Sequence, residues 1–267
     1  MAYSLSATKL QTYARCPRSY FYRYEYGLKE GGMFGSAALG NALHRALNRI
    51  YRDWHYTEPL PPLTWLRDCW DAQQEGLSDK QVDEGWRILA NYYNQHIADR
   101  GFQRPIATEG RIDASLIANG IEFKLTGRYD RLDALSSRSG NGLLLTDYKS
   151  TKTPQQPKPG AVDLQLGLYA IAIEQRYGQS LRQMQLLYLR TGQVITFEVT
   201  PAHRQKVQTT VSQLALKLLQ DEDWQPRCAE DCSRCTYAKY CSAVTDSPEP
   251  LPQLEGKRSA LQLSLGI

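Results

Sequence analysis

Apolar positions along the first hundred residues recur at helical spacing. Leu39, Leu43, Leu47 and Ile50 fall on one stripe and predict a helix over 37–53; Val82, Trp86, Leu89 and Tyr93 repeat the pattern further on. Ser6 can cap an earlier helix carrying Leu10 and Tyr13, which must stop near Cys16 because Pro17 disfavours an α conformation before it. Pro59, Pro61 and Pro62 mark residues 54–63 as a connector.

From about 105 the period shortens to that of a strand. Ile106–Ile117 and Ile121–Thr126 flank Ala118-Asn119-Gly120, where Asn-Gly supplies the positive backbone angles of a tight hairpin. The second strand runs on through Gly127-Arg128-Tyr129-Asp130. After a Ser/Gly/Asn loop at 136–142, Leu143-Leu144-Leu145-Thr146-Asp147-Tyr148-Lys149 reads as a central strand. A proline-rich loop covers 154–160, and a helix over 162–177 can end at Gly178. Met184–Arg190 and Val194–Val199 predict another hairpin turning at Thr191-Gly192. Thr200-Pro201 then opens a helix aligning Val207, Val211, Leu214 and Leu218.

Composition narrows the class. The 267 residues hold 42% apolar side chains and 32 Lys+Arg against 28 Asp+Glu, a formal charge of +4, which excludes a disordered or fibrous chain and permits a nucleic-acid partner. The longest uncharged apolar run, Leu164–Ile173, is about half of the ~20 residues a membrane span requires. Met1–Ser6 lacks a basic region followed by an apolar one, so a cytoplasmic protein is expected. Six cysteines in that compartment point to metal or catalysis rather than disulfides.

Side chains alternate along a strand, so Asp147 and Lys149 share a face while Tyr148 takes the other. On the preceding strand Asp130 holds the equivalent edge position, and parity sends Asp133 away from it. Two carboxylates and a lysine would then meet at one sheet edge. Mg²⁺ is commonly held by one or two carboxylates with water and substrate phosphate, and a lysine beside it can serve the attacking water. By itself Asp-x-Lys is equally met by strand-end charges pairing with Arg128, Arg131 or Lys149.

Gly127-Arg128-Tyr129-Asp130, Asp147-Tyr148-Lys149 and Gln165-Leu166-Gly167-Leu168-Tyr169 together resemble the motif series of the PD-(D/E)XK nuclease superfamily in its RecB-like branch, without the first proline. Gly40-Asn41-Ala42-Leu43-His44 is similar to the helix whose histidine adds a metal ligand there. The resemblance implies an α/β fold: a mixed sheet flanked by helices, with an N-terminal helical insertion over 30–104 inside a single domain spanning 1–241. It implies a metal-dependent DNA nuclease of repair or recombination, acting on single strands or ends. Asp130, Asp147 and His44 would bind Mg²⁺ or Mn²⁺, Lys149 would assist the water, and Gln165 with Tyr169 would position DNA. A CRISPR-associated adaptation nuclease, or a non-cleaving DNA-binding subunit of a helicase–nuclease complex, are the alternatives. No Gly-x4-Gly-Lys-Ser/Thr phosphate loop is present, so ATP-driven unwinding needs a helicase partner. His55, His96 and His203 lack such context and read as structural or exposed.

Cys232-Ser233-Arg234-Cys235 and Cys241 form a Cys-x2-Cys-x5-Cys run. With Cys16, followed by Pro17, this split resembles the iron–sulfur form of RecB-like nucleases, as in AddB subunits, and implies a [4Fe–4S] cluster on Cys16, Cys232, Cys235 and Cys241. Four thiolates also suit zinc, and Cys228 could replace a member of the set. Joining positions 16 and 232 would restrict the unfolded chain by about 5 kcal/mol on a loop-closure model. Cys69 reads as buried filler.

The opening segment interleaves Arg15, Arg18, Arg23 and Lys29 with Tyr13, Tyr20, Phe21, Tyr22, Tyr24 and Tyr26. That pattern suits either single-stranded nucleic acid or an aromatic packing face. Leu261-Gln262-Leu263-Ser264-Leu265-Gly266-Ile267 faintly resembles peptides that dock sliding clamps, and residues 242–267 read as a loose tail.

Overall fold

The computed structural model describes residues 3–28, 34–137, 140–151, 153–154, 164–228 and 230–253. Lys29, the segment 155–160 and the clamp-like sequence 261–267 lie outside the described residues. Among those described, no helix is long and apolar enough to cross a membrane.

Seven helices and six strands alternate along the described chain: β1 (Tyr3–Leu5), α1 (Ala7–Arg15), α2 (Pro17–Tyr20), α3 (Phe34–Arg52), α4 (Leu63–Asp71), α5 (Asp79–Tyr92), β2 (Ala107–Ala118), β3 (Ile121–Ser137), β4 (Gly140–Lys149), α6 (Leu164–Tyr177), β5 (Leu181–Tyr188), β6 (Val194–Glu198) and α7 (Pro201–Gln220). The expected starts are where capping chemistry put them. Ser6 accepts the Lys9 amide and opens α1, and Thr200 accepts the His203 amide ahead of Pro201. Asn119 and Gly120 both take positive φ, 48° and 75°, and join β2 to β3.

The strands form one mixed sheet, ordered β1-β3-β4-β5-β6, with β2 on the other edge of β3. β4 and β5 run parallel, linked across the face by α6. Helices α1, α6 and α7 pack on one face around Leu125, Leu145, Met184 and Leu168. Helices α3, α4 and α5 cover the other, where Leu43, Leu47 and Trp70 meet Tyr148, Leu187 and Leu189. The stretch expected to be an inserted helical region therefore supplies one wall of the sheet's sandwich.

Several expectations change. Residues 3–5 are a strand pairing parallel with Phe123–Leu125, rather than part of a helical stretch; three residues carry no readable alternation, and their partner lies about 120 positions away. On α5 the buried face is Gly85, Ile88, Leu89 and Tyr92, one residue round from the expected stripe, because Gly85 admits the Trp70 ring. On α7, Ala215 is buried where Leu214 was expected. The opening aromatics form a packing face: Tyr13, Tyr20 and Tyr22 are buried, and Tyr20 stacks on Trp224 at 5.6 Å. The tail folds back as far as it is described, through Lys239–Glu249 at 2.7 Å and a Tyr26 hydroxyl donating to the Pro252 carbonyl at 3.0 Å.

Candidate functional site

The register of the sheet builds the site. Arg131 pairs with Thr146 across β3 and β4, which sets Asp130 beside Asp147 at the end of the paired region. Asp130 Oδ2 accepts the Tyr148 amide at 2.6 Å, fixing the carboxylate against the central strand. Tyr148 points to the opposite face, where its hydroxyl accepts from Arg131 Nη1 at 3.0 Å. Arg131 also donates to Asp133 at 2.8 Å, so parity separates Asp133 from Asp130 as the alternation requires.

Helix α3 delivers His44 to the same point, with Nδ1 3.1 Å from Asp130 Oδ1. Glu109, which sequence reading passed over, completes the cluster. It sits opposite Asp130, between the pairs Thr108–Arg131 and Gly110–Tyr129, with a left-handed backbone at φ 48° that interrupts the ladder. Ligand atoms of His44, Glu109 and Asp130 all lie within 4.8 Å of one another, the only such acidic or metal-ligating group among the described residues. The signal was available: pairing outward from the Asn119-Gly120 turn brings position 109 to 130.

Asp147 stands slightly apart and is 4% exposed. Its Oδ2 lies 2.6 Å from Lys149 Nζ with no hydrogen bond aligned on it, and its Oδ1 accepts Gln165 Nε2 at 2.7 Å. Burial pushes its carboxyl up to about 6, with Lys149 opposing and Asp130 reinforcing the rise. Burial and the Asp130 charge also raise Glu109. For His44, burial opposes the charged ring, but the bond and charge of Asp130, with Asp147 and Glu109, outweigh it and raise the pKa. Three carboxylates gathered with a histidine, two of them raised by burial and by the charge of Asp130, make a donor set that fits a hard cation.

Gln165 and Tyr169, four apart on α6, face this pair rather than open solvent. Lys149 Nζ donates to Gln165 Oε1 at 3.1 Å, Gln165 Nε2 donates to the Tyr169 hydroxyl at 2.8 Å, and that hydroxyl donates to the Arg128 carbonyl at 2.8 Å. The chain of bonds ties α6 to both active strands. His55, His96 and His203 lie outside the cluster, and buried Cys69 has its thiol pushed up to about 12.

At the far side, the cysteine segment packs on the first helices. Tyr22, Leu28, Tyr237 and Cys241 share a small core, and Tyr22 donates to the Tyr240 carbonyl at 2.7 Å. Cys16 Sγ accepts the Arg227 amide at 3.4 Å. Cys228 is an exposed thiol next to Arg227, whose amide meets Cys16, while Cys235 packs beside Cys241, so both ends of the cysteine set lie at this junction.

Comparisons with known proteins bear on the family and the fold. A subunit of the ATP-dependent helicase/deoxyribonuclease of Caldanaerobacter subterraneus subsp. tengcongensis is 28% identical over 179 residues, 54% of this chain and 15% of that protein. Its counterpart in Carboxydothermus hydrogenoformans is 23% identical over 219 residues, 70% of this chain and 20% of that one. The chain thus spans a fifth or less of the length of these relatives. A crystal structure from Eubacterium rectale, provisionally assigned as an exonuclease, superposes with a TM-score of 0.52 at 13% identity, covering 99% of this chain and 94% of its own. A family model described as the PD-(D/E)XK nuclease superfamily matches residues 4–242, from β1 through the carboxylate–lysine strand end to the last cysteine, and the chain belongs to that superfamily.

Proposed function

We propose that this chain is a Mg²⁺- or Mn²⁺-dependent deoxyribonuclease that hydrolyses single-stranded or end-proximal DNA, working beside a helicase that supplies the strand. The observation that carries the reading is the convergence of His44, Glu109 and Asp130 beside a buried Asp147 oxygen without an aligned hydrogen bond, 2.6 Å from Lys149. His44, Asp130 and Glu109 would hold the ion, with Asp147 reaching it from the adjoining strand. Held there, a divalent ion would supply neutralisation of phosphate charge and a more acidic attacking water. Lys149, fixed between Asp147 and Gln165, orients the attacking water and offsets negative charge as the phosphorane forms. Gln165 and the buried Tyr169 keep Asp147 and the Arg128 backbone in place, acting on the substrate through them. The helicase partner is supported by the kinship with helicase/deoxyribonuclease subunits.

The cysteine junction fits a [4Fe–4S] cluster on Cys16, Cys232, Cys235 and Cys241. Support comes from the packing of Cys235 and Cys241 around Tyr22 and Tyr237, and from the bond of the Arg227 amide to Cys16 Sγ, which brings the start of the cysteine segment to the first helices. Tetrahedral zinc would draw on the same thiolates, and metal analysis separates the two. The centre's role would be to staple the first helices to the end of the domain.

The test is degradation of labelled single-stranded DNA with Mn²⁺ or Mg²⁺, comparing the parent with Lys149→Ala. Cutting by the parent alone supports the reading; binding without cutting by both makes the chain a DNA-binding subunit. Anaerobic purification with iron, sulfide and zinc analysis checks the cluster, which stoichiometric zinc without iron overturns.

A further inference from the structure

Beside the carboxylate cluster, the exposed side of the β2–β3 ribbon gathers positive charge. Arg111 on β2, Lys124 and Arg128 on β3, and Arg176 from α6 line a cleft of about 570 Å³ with Asp113 and Thr126. Four cations face one carboxylate. Arg176 is anchored there by donating to the Arg111 carbonyl at 2.7 Å. Lys124 and Asp113 approach to 3.3 Å, but both are more than half exposed, so water and salt weaken the pair and a phosphate can displace it.

The register makes this arrangement informative. Arg111 and Arg128 are directly paired across the ribbon, so two guanidinium groups share one position of the cleft, a placement that costs stability and favours a bound anion even though Arg128 also meets Glu109. Arg128 precedes Asp130 by two residues, about 6.7 Å along the strand, on the order of one nucleotide step. Its guanidinium also donates to Glu109 at 3.2 Å, so the cleft opens directly onto the metal-ligating cluster. The two strands lie about 4.8 Å apart. A single row of cations along one ribbon matches the phosphates of one sugar–phosphate backbone.

We infer that this cleft binds consecutive phosphates of one DNA strand and leads that strand to the bond held at Asp130 and Asp147. The inference rests on the nuclease reading of that site, and assigns the substrate path to the β2–β3 ribbon rather than to the basic aromatic segment at residues 13–26, whose rings are largely in the core.

The experiment uses the full chain and a fluorescein-labelled oligothymidylate, with anisotropy read in metal-free buffer so that no strand is cut. Arg128 is left intact because it touches Glu109. The double variant Arg111→Ala/Lys124→Ala is compared with Arg67→Ala/Arg87→Ala, which removes two exposed charges from α4 and α5. The cleft variant is expected to bind at least fivefold more weakly, with the slope of log affinity against log salt reduced by about 1.4, or about 0.7 for each lost phosphate contact. The control should stay within twofold of the parent. Hydrolysis of a small phosphodiester, thymidine 5′-p-nitrophenyl phosphate, with Mn²⁺ should be unchanged in the cleft variant. Equal binding by cleft variant and parent, an equal loss in the control, or tighter duplex binding dependent on Arg111 and Lys124 would overturn the inference. Absence of hydrolysis by the parent would instead count against the nuclease reading, while the binding comparison still reports on the cleft.

Discussion

Glu109 and Asp130 stand opposite one another on the β2–β3 ribbon, and Glu109, with a left-handed backbone, joins His44 within 4.8 Å of Asp130. A non-glycine residue in that conformation is costly and tends to persist where the surroundings over-determine it. Replacing Glu109 with Gln keeps the shape and removes a charge held against Asp130. Mn²⁺ affinity, followed by titration calorimetry, should fall by about tenfold or more. Without metal, the same variant should melt at a higher temperature than the parent, because burial and Asp130 already disfavour the Glu109 carboxylate. A lower melting point together with unchanged Mn²⁺ affinity would remove Glu109 from the site.

Tyr169 tests whether the bonds from α6 act on chemistry. Tyr169→Phe removes one of the two acceptors of Gln165 Nε2 and the hydroxyl donor to the Arg128 carbonyl. The expected cost is about 1–3 kcal/mol of stability. Support of this kind around a metal site is typically worth roughly 10–100-fold, so kcat on single-stranded DNA should drop by that order with KM nearly unchanged. A rise in KM alone would instead indicate direct substrate contact.

Arg131 lies under the active strand, its guanidinium 4.5 Å from the Tyr51 ring centre and bonded to Asp133, Tyr92 and Tyr148. Removing one member of such a largely covered ion pair, 13% and 19% exposed, strands the other charge. Arg131→Ala is expected to lose about 3–5 kcal/mol in urea unfolding, and Arg131→Ala/Asp133→Ala to recover part of it. Additive losses would show that the pair is not coupled.

Gly85 on α5 faces Trp70, and a β-carbon there would fall on the indole ring. Helix propensity favours alanine by up to about 1 kcal/mol. Overpacking against a fully buried ring costs about 1–3 kcal/mol, so Gly85→Ala should be net destabilising in thermal unfolding. A stabilised variant would mean that α4 and α5 part easily.

His96 sets an acid limit. Its Nε2 is buried without a hydrogen-bond partner, and burial with nearby Arg100 lowers its pKa below the ordinary 6.5. The unfolded chain therefore takes up a proton before the folded one does. Stability is fully present above 6.5 and declines as pH falls through that value toward the lower folded one. His44 works in reverse: its raised pKa gives stability below 6.5 that fades as pH rises through the folded value. Urea midpoints at pH 7.5 and 5.5 should differ less for His96→Asn than for the parent. An unchanged difference would clear His96.

The legible parts of this protein were those fixed by neighbours in sequence. Ser6, Thr200, Pro201 and the Asn119-Gly120 turn act within a few residues, and each marked an element boundary. Strand parity likewise placed Asp147 with Lys149 and separated Asp133 from Asp130, because alternation is a local property of extended chain. The tertiary structure decided what no short window contains: the pairing of Tyr3–Leu5 with Phe123–Leu125, the approach of His44 to Asp130 across 86 positions, and the turning of Tyr20 onto Trp224. It also decided that Glu109 faces the site and that Gln165 holds the Asp147–Lys149 pair. Those outcomes depend on sheet register and helix docking, where burial and charge are summed over the whole molecule and a one-residue slip would send every side chain to the other face.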